Sequence, residues 1–472
     1  MSRKKDKTPQ VLEQISILDF AAEAKCIAKV NEEVIFVQGP VAPGDIADLR
    51  ILRSKKKFKQ AQAINIQPLS SHRTEVACAH FGICGGCKWQ HVSYASQLAF
   101  KERQVRDNLT RIAKVPLPEF QPILGSEHAY YYRNKLEFTF SSARWLTENE
   151  IGSEDLGSMN ALGFHVPGRF DKILEVTHCH LQPDPSNAIR NGVRAFAEAK
   201  HISFYELKIQ KEGALRNLII RNTVSGEWMV TVQFAYATED EIQLMMNYLK
   251  ENFPVITSLN YVINQKGNDT FHDLEVICFH GKAYIEEVME DLTFQVGPKS
   301  FFQTNAVQAL KLYQLVRQYA DLQGNEVVYD LYAGTGTIGL FLAKHASKVV
   351  GLEYVDMAVE DAKENAKLNG VNNATFFAGD MKKLLTDDFI GQHGKPDVII
   401  TDPPRAGMDE DVVQQILKVA PKTIVYVSCN PATQARDLAL LDSLYTVDVV
   451  HPVDMFPQTH HVENIVRLRL KK

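Results

Sequence analysis

Cys429 stands in the run Val427-Ser428-Cys429-Asn430-Pro431, at the exit of an apolar strand and just before an Asn-Pro turn. A thiol on that edge of a sheet is placed for nucleophilic chemistry, because ligands of open α/β sheets bind where the strands end. The plainer reading, a small buried hydrophobe, is the commonest fate of a free cysteine and stands beside it. Glu463, in Gln458-Thr459-His460-His461-Val462-Glu463-Asn464, precedes the last strand and offers a carboxylate for proton transfer. His461 competes for that role, although adjacent histidines in a loop more often serve surface or packing. A second constellation is Cys78-x5-Cys84-x2-Cys87, three soft ligands in one loop with glycines at 82, 85 and 86. Cys179, in His178-Cys179-His180-Leu181, is the candidate fourth ligand. Spacing alone leaves a four-cysteine zinc site and an iron–sulfur cluster both open.

The elements that position these residues change character along the chain. Residues 8–67 hold short apolar runs, Ile27-Ala28-Lys29-Val30, Val34-Ile35-Phe36-Val37 and Ala47-Asp48-Leu49-Arg50-Ile51, punctuated by Gly39-Pro40 and Pro43-Gly44. They read as a small OB-like β-barrel, with Ala22-Glu23-Ala24-Lys25 as its first strand. Arg50, Arg53, Lys55, Lys56, Lys57 and Lys59 form a solvated edge or a phosphate-binding face. Residues 70–296 follow as a central segment: the cysteine loop, a helix from about 93 to 115, which could pack on the catalytic part, then mainly strands. Leu136–Phe140, Leu218–Arg221 and Met229–Phe234 are examples, with one helix near 239–252. Residues 297–472 alternate strand and helix: 327–331, 348–353, 374–378, 397–401, 423–428 and 446–451, with 465–470 closing the chain. Val/Ile-rich strands interleaved with helices predict a doubly wound, largely parallel sheet of Rossmann-like form. The fold class is therefore multidomain: α/β, plus a mainly β centre and an N-terminal barrel.

The strand ends carry a coherent set. The first gives Asp330-Leu331-Tyr332-Ala333-Gly334-Thr335-Gly336-Thr337, the second ends at Glu353, the third leads to Gly379-Asp380, and the fourth to Asp402-Pro403-Pro404-Arg405. Gly334-x-Gly336-x-x-Gly339 fits the bare dinucleotide pattern, so a nicotinamide oxidoreductase is one reading. Acids at three successive strand ends suit S-adenosylmethionine better, since it presents a ribose diol, an adenine amine and an ammonium group. Each acid alone could be a helix N-cap, Asp380 and Asp402 in particular. With such a cofactor, a thiol and a base suit methylation of uracil at C5. That carbon is too weak a nucleophile until a thiolate adds to C6, and a base must afterwards take the C5 proton.

Together, Asp-Leu-Tyr-Ala-Gly-Thr-Gly, Asp-Pro-Pro-Arg-Ala-Gly, Val-Ser-Cys-Asn-Pro and His-Val-Glu-Asn resemble the RNA 5-methyluridine methyltransferase family, especially its bacterial 23S rRNA members. The resemblance spans nearly the whole chain. It implies Cys429 as nucleophile, Glu463 as base, and adenosylmethionine contacts from Gln303, Tyr332, Thr337, Glu353, Asp380 and Asp402. Phe301 matches the aromatic position that stacks on an extruded base. The resemblance also implies an N-terminal TRAM domain and a [4Fe–4S] cluster on Cys78, Cys84, Cys87 and Cys179, with zinc the lesser alternative. It favours 23S rRNA over tRNA, because the tRNA branch generally lacks the cluster and the barrel. Ala333 replaces a common cysteine, and the segment 22–25 lacks the family's usual glycines. A non-catalytic RNA-binding protein is the remaining reading, opposed by the presence of Cys429 and Glu463.

Composition excludes other classes. Apolar residues make up 45% and charged residues 23%, as in soluble globular proteins. No apolar run nears the roughly 20 residues of a membrane span. The basic start, Met-Ser-Arg-Lys-Lys-Asp-Lys, is not followed by a signal-peptide core, so a cytoplasmic monomer with an RNA partner is expected. A net charge of −5 rules out a uniformly basic coat but not a local basic face.

Overall fold

The computed structural model describes residues 10–147, 150–154 and 156–472. The basic start, through residue 9, lies outside the described residues.

The C-terminal sheet has seven strands: β1 Val327–Leu331, β2 Lys348–Glu353, β3 Ala374–Ala378, β4 Val398–Thr401, β5 Thr423–Ser428, β6 Tyr445–Val453 and β7 Glu463–Leu470. Their order is β3-β2-β1-β4-β5-β7-β6. The first five pair in parallel, and β7 runs antiparallel between β5 and β6. The order reverses at β1, flanked by β2 and β4, so a crevice opens at the carboxyl ends there. Apolar cores cover both faces, which is why β4 and β5 are buried at every position. One of those cores includes Val105, Leu109 and Ala113. The helix Tyr94–Asn108 and the helical turn Leu109–Ala113 therefore pack on this sheet, not on the strands that follow them in sequence.

The central sheet also has seven strands, running from Ile277–Gly281 through Ile256–Ile263, Trp228–Phe234, Leu215–Asn222, Lys135–Ser141 and Ala161–Val166 to Arg169–Glu175. Two helices, Ser186–Ala199 and Glu239–Asn252, contribute to the apolar core on one face. The sequence reading gave this segment only the second helix. The first was legible in the period of Ile189, Val193 and Ala197, all buried.

The N-terminal unit is a six-stranded sheet that contains Cys26–Val30, Glu33–Gln38, Ile46–Ser54 and Phe58–Gln67 around its own small core. The strand expected at Ala22-Glu23-Ala24-Lys25 is not one. Residues 22–24 form a short 3-10 turn, with Glu23 and Ala24 at φ of 60° and 57°. That backbone favours glycine, and two side-chain-bearing residues occupy it here. Lys55, Lys56 and Lys57 form the exposed tip between the last two strands, whereas Lys59 is tied to Glu33 at 2.7 Å. Among the described residues no helix is long and apolar enough to cross a membrane.

Candidate active site

A cavity of about 1140 Å³ opens at the carboxyl ends of β1, β2, β4 and β5, and all nine candidate cofactor, catalytic and stacking residues line it. Its floor is the loop after β1. Tyr332 takes a left-handed φ of 65°, and Gly336 one of 76°, where a Cβ would lie 2.9 Å from Ala362 and Phe376. Gly339 lets its N–H approach Asp330 Oδ2 to 2.8 Å; a Cβ there would lie 2.9 Å from the same oxygen. Burial pushes the Asp330 carboxyl up to about 7 against that hydrogen bond. Thr337 opens the following helix, its hydroxyl 3.1 Å from that of Thr335.

Glu353, at the end of β2, accepts the N–H groups of Gly334 and Val355, each at 2.9 Å. Each carboxylate oxygen keeps a lone pair for a diol. Asp380 N-caps the turn Met381–Leu384, accepting from Lys382 N at 3.1 Å. The N-cap reading is thus correct for Asp380 as far as it goes, while the residue still faces the cavity. Asp402 caps no helix, since the next begins at Glu410 with Asp409 as its cap. Gln303 is anchored through its carbonyl, which accepts from Asn134 at 3.0 Å. Phe301 is 67% exposed at the cavity wall.

Cys429 and Glu463 meet because β7 is antiparallel to β5. Ser428 pairs with Asn464, so the next residue along β5 comes level with the one that begins β7. Asn430 caps the helix Pro431–Leu441 and donates to the Arg405 carbonyl at 2.9 Å, which pins the thiol loop to the Asp402–Arg405 loop. Burial pushes the Cys429 thiol up to about 11, aided by Glu463 and Asp402 and opposed by Arg405. The Glu463 carboxyl is likewise raised, by burial and then by the neighbouring Asp402 charge, with Arg405 opposing. His461 does not line the cavity. Its ring nitrogens lie 3.2 and 3.4 Å from Arg405 Nη2, and burial with nearby cations drives it down to about 3. Sequence reasoning gave no role to Arg405, though it stood in a quoted motif. It also missed Tyr313, a cavity residue from the middle of the helix Ala306–Ala320 whose sequence carries no signal of the site.

Cys78, Cys84, Cys87 and Cys179 are free thiols around a separate space of about 140 Å³. Burial raises Cys84 to about 11 and Cys87 to about 12, with the other thiols adding to the shift, and raises Cys179 as well. Gly86 N–H points at Cys84 Sγ from 3.4 Å. Among the described residues, no group of three or more His, Cys, Asp or Glu side chains is arranged to hold a metal ion. The four thiols surround a space but do not close on a point.

Comparison with known proteins adds an independent line. A family model described as tRNA (uracil-5-)-methyltransferase matches residues 214–471. A protein of Bacteroides thetaiotaomicron described as an uncharacterized RNA methyltransferase is 56% identical, over 96% of this chain and 100% of that one. A Chlorobaculum tepidum protein described in the same terms is 39% identical, over 96% of this chain and 95% of its own. Among solved structures, the Pyrococcus abyssi tRNA (uracil-54, C5)-methyltransferase in complex with S-adenosyl-L-homocysteine superposes with a TM-score of 0.73. Its identity is 26%, covering 96% of this chain and 100% of that one.

Proposed function

Because the chain belongs to the tRNA (uracil-5-)-methyltransferase family of adenosylmethionine-dependent RNA methyltransferases, we propose that it methylates C5 of a specific uridine in 23S rRNA through a covalent Cys429 adduct. The observation that carries this reading is the shared cavity. A thiol and a raised carboxyl, Cys429 and Glu463, meet there with an exposed stacking ring, Phe301, beside the residues suited to the cofactor. Bound adenosylmethionine supplies an electrophilic methyl group. Glu353 suits its ribose diol, while Asp380 and Asp402, with Gln303, Tyr332 and Thr337, suit its amine and ammonium ends.

Phe301 stacks on the extruded base. Cys429 Sγ bonds C6, and the C5=C6 electron pair moves to C5 and O4. C5 then takes the methyl, leaving a neutral thioether behind. Glu463 removes the C5 proton, the double bond re-forms and the C6–S bond breaks. Its raised carboxyl is a better base near neutral pH than an ordinary glutamate. Arg405 favours the thiolate form of Cys429, whose proton passes to solvent before the bond to C6 forms, leaving Glu463 free for the C5 proton.

We read residues 8–67 as a TRAM-like RNA-binding barrel, its exposed lysine tip meeting phosphate. Residues 70–296 are then a central domain carrying a [4Fe–4S] cluster on Cys78, Cys84, Cys87 and Cys179, and 297–472 the catalytic domain of a cytoplasmic monomer. What supports the cluster is that all four thiols of the cysteine pattern line one space.

A second reading, tRNA as substrate, is favoured by the Pyrococcus enzyme, which matches along its entire length. Its match removes much of the force from architecture as a reason to prefer rRNA. Mapping 5-methyluridine in rRNA and tRNA of cells with and without the gene separates the two. Loss of the mark from 23S rRNA alone supports the first reading, and loss from tRNA alone overturns it. For the chemistry, RNA bearing 5-fluorouridine is expected to trap wild-type protein in a denaturation-resistant adduct, and Cys429→Ala to form none while still binding adenosylmethionine. An adduct formed by that variant would overturn the assignment.

A further inference from the structure

The central sheet is two-faced. Leu136, Phe138, Leu218 and Ile220 face the helices, whereas Lys135, Glu137, Thr139, Asn217 and Arg221 alternate onto the opposite side. A polar face buried beneath other structure is costly unless something satisfies it. This face lines a third cavity, of about 360 Å³, partly open to solvent and flanked by Asp269–His272 and by Pro298 and Lys299. Asn217 is 1% exposed and lines the cavity. Its amide donates to Thr139 Oγ1 at 3.3 Å, but its carbonyl oxygen has no partner. His165, exposed at the rim, lies 3.5 Å from the same threonine hydroxyl.

The cavity adjoins the catalytic one, since His272 and Lys299 line both. The wall between them is fixed from the polar face: both terminal nitrogens of buried Arg221 donate to the Ser300 carbonyl at 3.1 Å, one residue before Phe301. His272 is exposed, its ring within 4° of parallel to that of buried Phe271.

We propose that this cavity binds the nucleotide adjacent to the target uridine, with the base against the His272 ring and its N–H edge toward Asn217. Lys135 and Lys299 lie where the phosphate between the two nucleotides would pass. Single-stranded RNA is read in this way, by stacking on rings and by hydrogen bonds to exposed base edges. The size falls within the range of about 300–1,000 Å³ usual for small-ligand sites. The inference rests on the RNA methylation reading and names a second subsite for it.

The test is a cycle between protein and RNA. The probe is the RNA fragment carrying the mapped uridine, intact or with one abasic ribose at each flanking position in turn. Methyl transfer is read as kcat/KM. For wild type, one flanking abasic position is expected to cost about tenfold, the scale of a lost stacking and hydrogen-bonding contact. Asn217→Ala is expected to lose a similar factor on intact RNA and little more on that abasic RNA. Adenosylmethionine binding, unchanged, reports that the variant is folded. If Asn217→Ala does not fold, His165→Ala at the exposed rim carries the same cycle. Equal abasic losses in wild type and variant, or no loss at any flanking position, would overturn the subsite while leaving the methylation reading intact. A wild-type protein that methylates no RNA uridine overturns both.

Discussion

The ion pair between Lys101 and Asp454 offers a quantitative test of how the fold holds the loop that leads to Glu463. The two side chains meet at 2.6 Å and both are wholly buried. Lys101 Nζ also donates to the Phe456 carbonyl at 3.1 Å, and Asp454 accepts from Tyr94 Oη at 2.9 Å and Phe456 N at 3.1 Å. Burial pulls the lysine down and Asp454 draws it back up. Lys101→Met keeps most of the volume and strands a buried carboxylate, which costs about 3–5 kcal/mol. At roughly 2–4 °C per kcal/mol for a unit of this size, Tm falls on the order of 10 °C. Lys101→Met with Asp454→Asn removes the stranded charge and keeps an acceptor for Phe456 N, with the amide NH2 left facing the Tyr94 hydroxyl oxygen, so the pair is expected to recover part of the loss. Urea unfolding of wild type, both single variants and the double variant measures this directly. A Lys101→Met protein within about 1 kcal/mol of wild type, or a double variant less stable than Lys101→Met, refutes the account.

Glu463→Gln is expected to accumulate a denaturation-resistant adduct with unmodified RNA, because methyl transfer precedes the step that needs the base; free methylated product at the wild-type rate would pass the role to another group. Anaerobically purified protein is expected to be brown and to contain iron, and Cys84→Ser or Cys179→Ser to lose it with weaker RNA binding or folding and nearly intact adenosylmethionine binding. Stoichiometric zinc without iron sinks the cluster. Asp330, Asp402 and Glu463 are all raised by burial, so their contribution to stability is full below about pH 4 and is lost as pH climbs through their folded values. Cationic adenosylmethionine is therefore expected to raise Tm more at pH 8 than at pH 6, and equal shifts would contradict the electrostatic reading.

β1, β2 and β5 were legible because they are almost wholly buried, and β3, an edge strand with only Phe376 buried, still falls where its apolar run said. The meeting of Cys429 with Glu463 was not legible from spacing, since it depends on β7 entering antiparallel between β5 and β6. Each was legible only as a residue at a sheet end suited to its own role, and the resemblance then implied both roles together. The turn at Glu23 and Ala24 was missed because a left-handed backbone without glycine leaves no trace in composition. The polar face of the central sheet was visible as Lys-Leu-Glu-Phe-Thr-Phe alternation at 135–140. Such alternation usually marks a face in water, and only the three-dimensional structure shows that this one borders a cavity beside the larger one that Cys429 and Glu463 line.

The distance in sequence between the cysteine loop and Glu463 is also misleading. Gln458, 3% exposed and at a left-handed φ of 65°, accepts the N–H groups of Lys88 and Trp89 at 2.8 and 3.0 Å. Its side chain and backbone are matched by Gln97, at 3.0 and 2.9 Å, and Tyr132 donates to the Pro457 carbonyl at 2.8 Å. A non-glycine residue in that conformation persists only where its surroundings over-determine it. Here the surroundings are Lys88 and Trp89, which directly follow Cys87, with Gln97 and Tyr132 beyond them. The cysteine loop thus buttresses the turn that leads into Glu463, whereas the Asp330–Gly339 and Glu353 side of the cavity is built on other strands. That separation gives the cysteine variants their expected signature. A disordered cysteine loop would withdraw two hydrogen bonds from Gln458 and leave the Gly334–Glu353 contact intact, so chemistry and RNA binding fail before cofactor binding does.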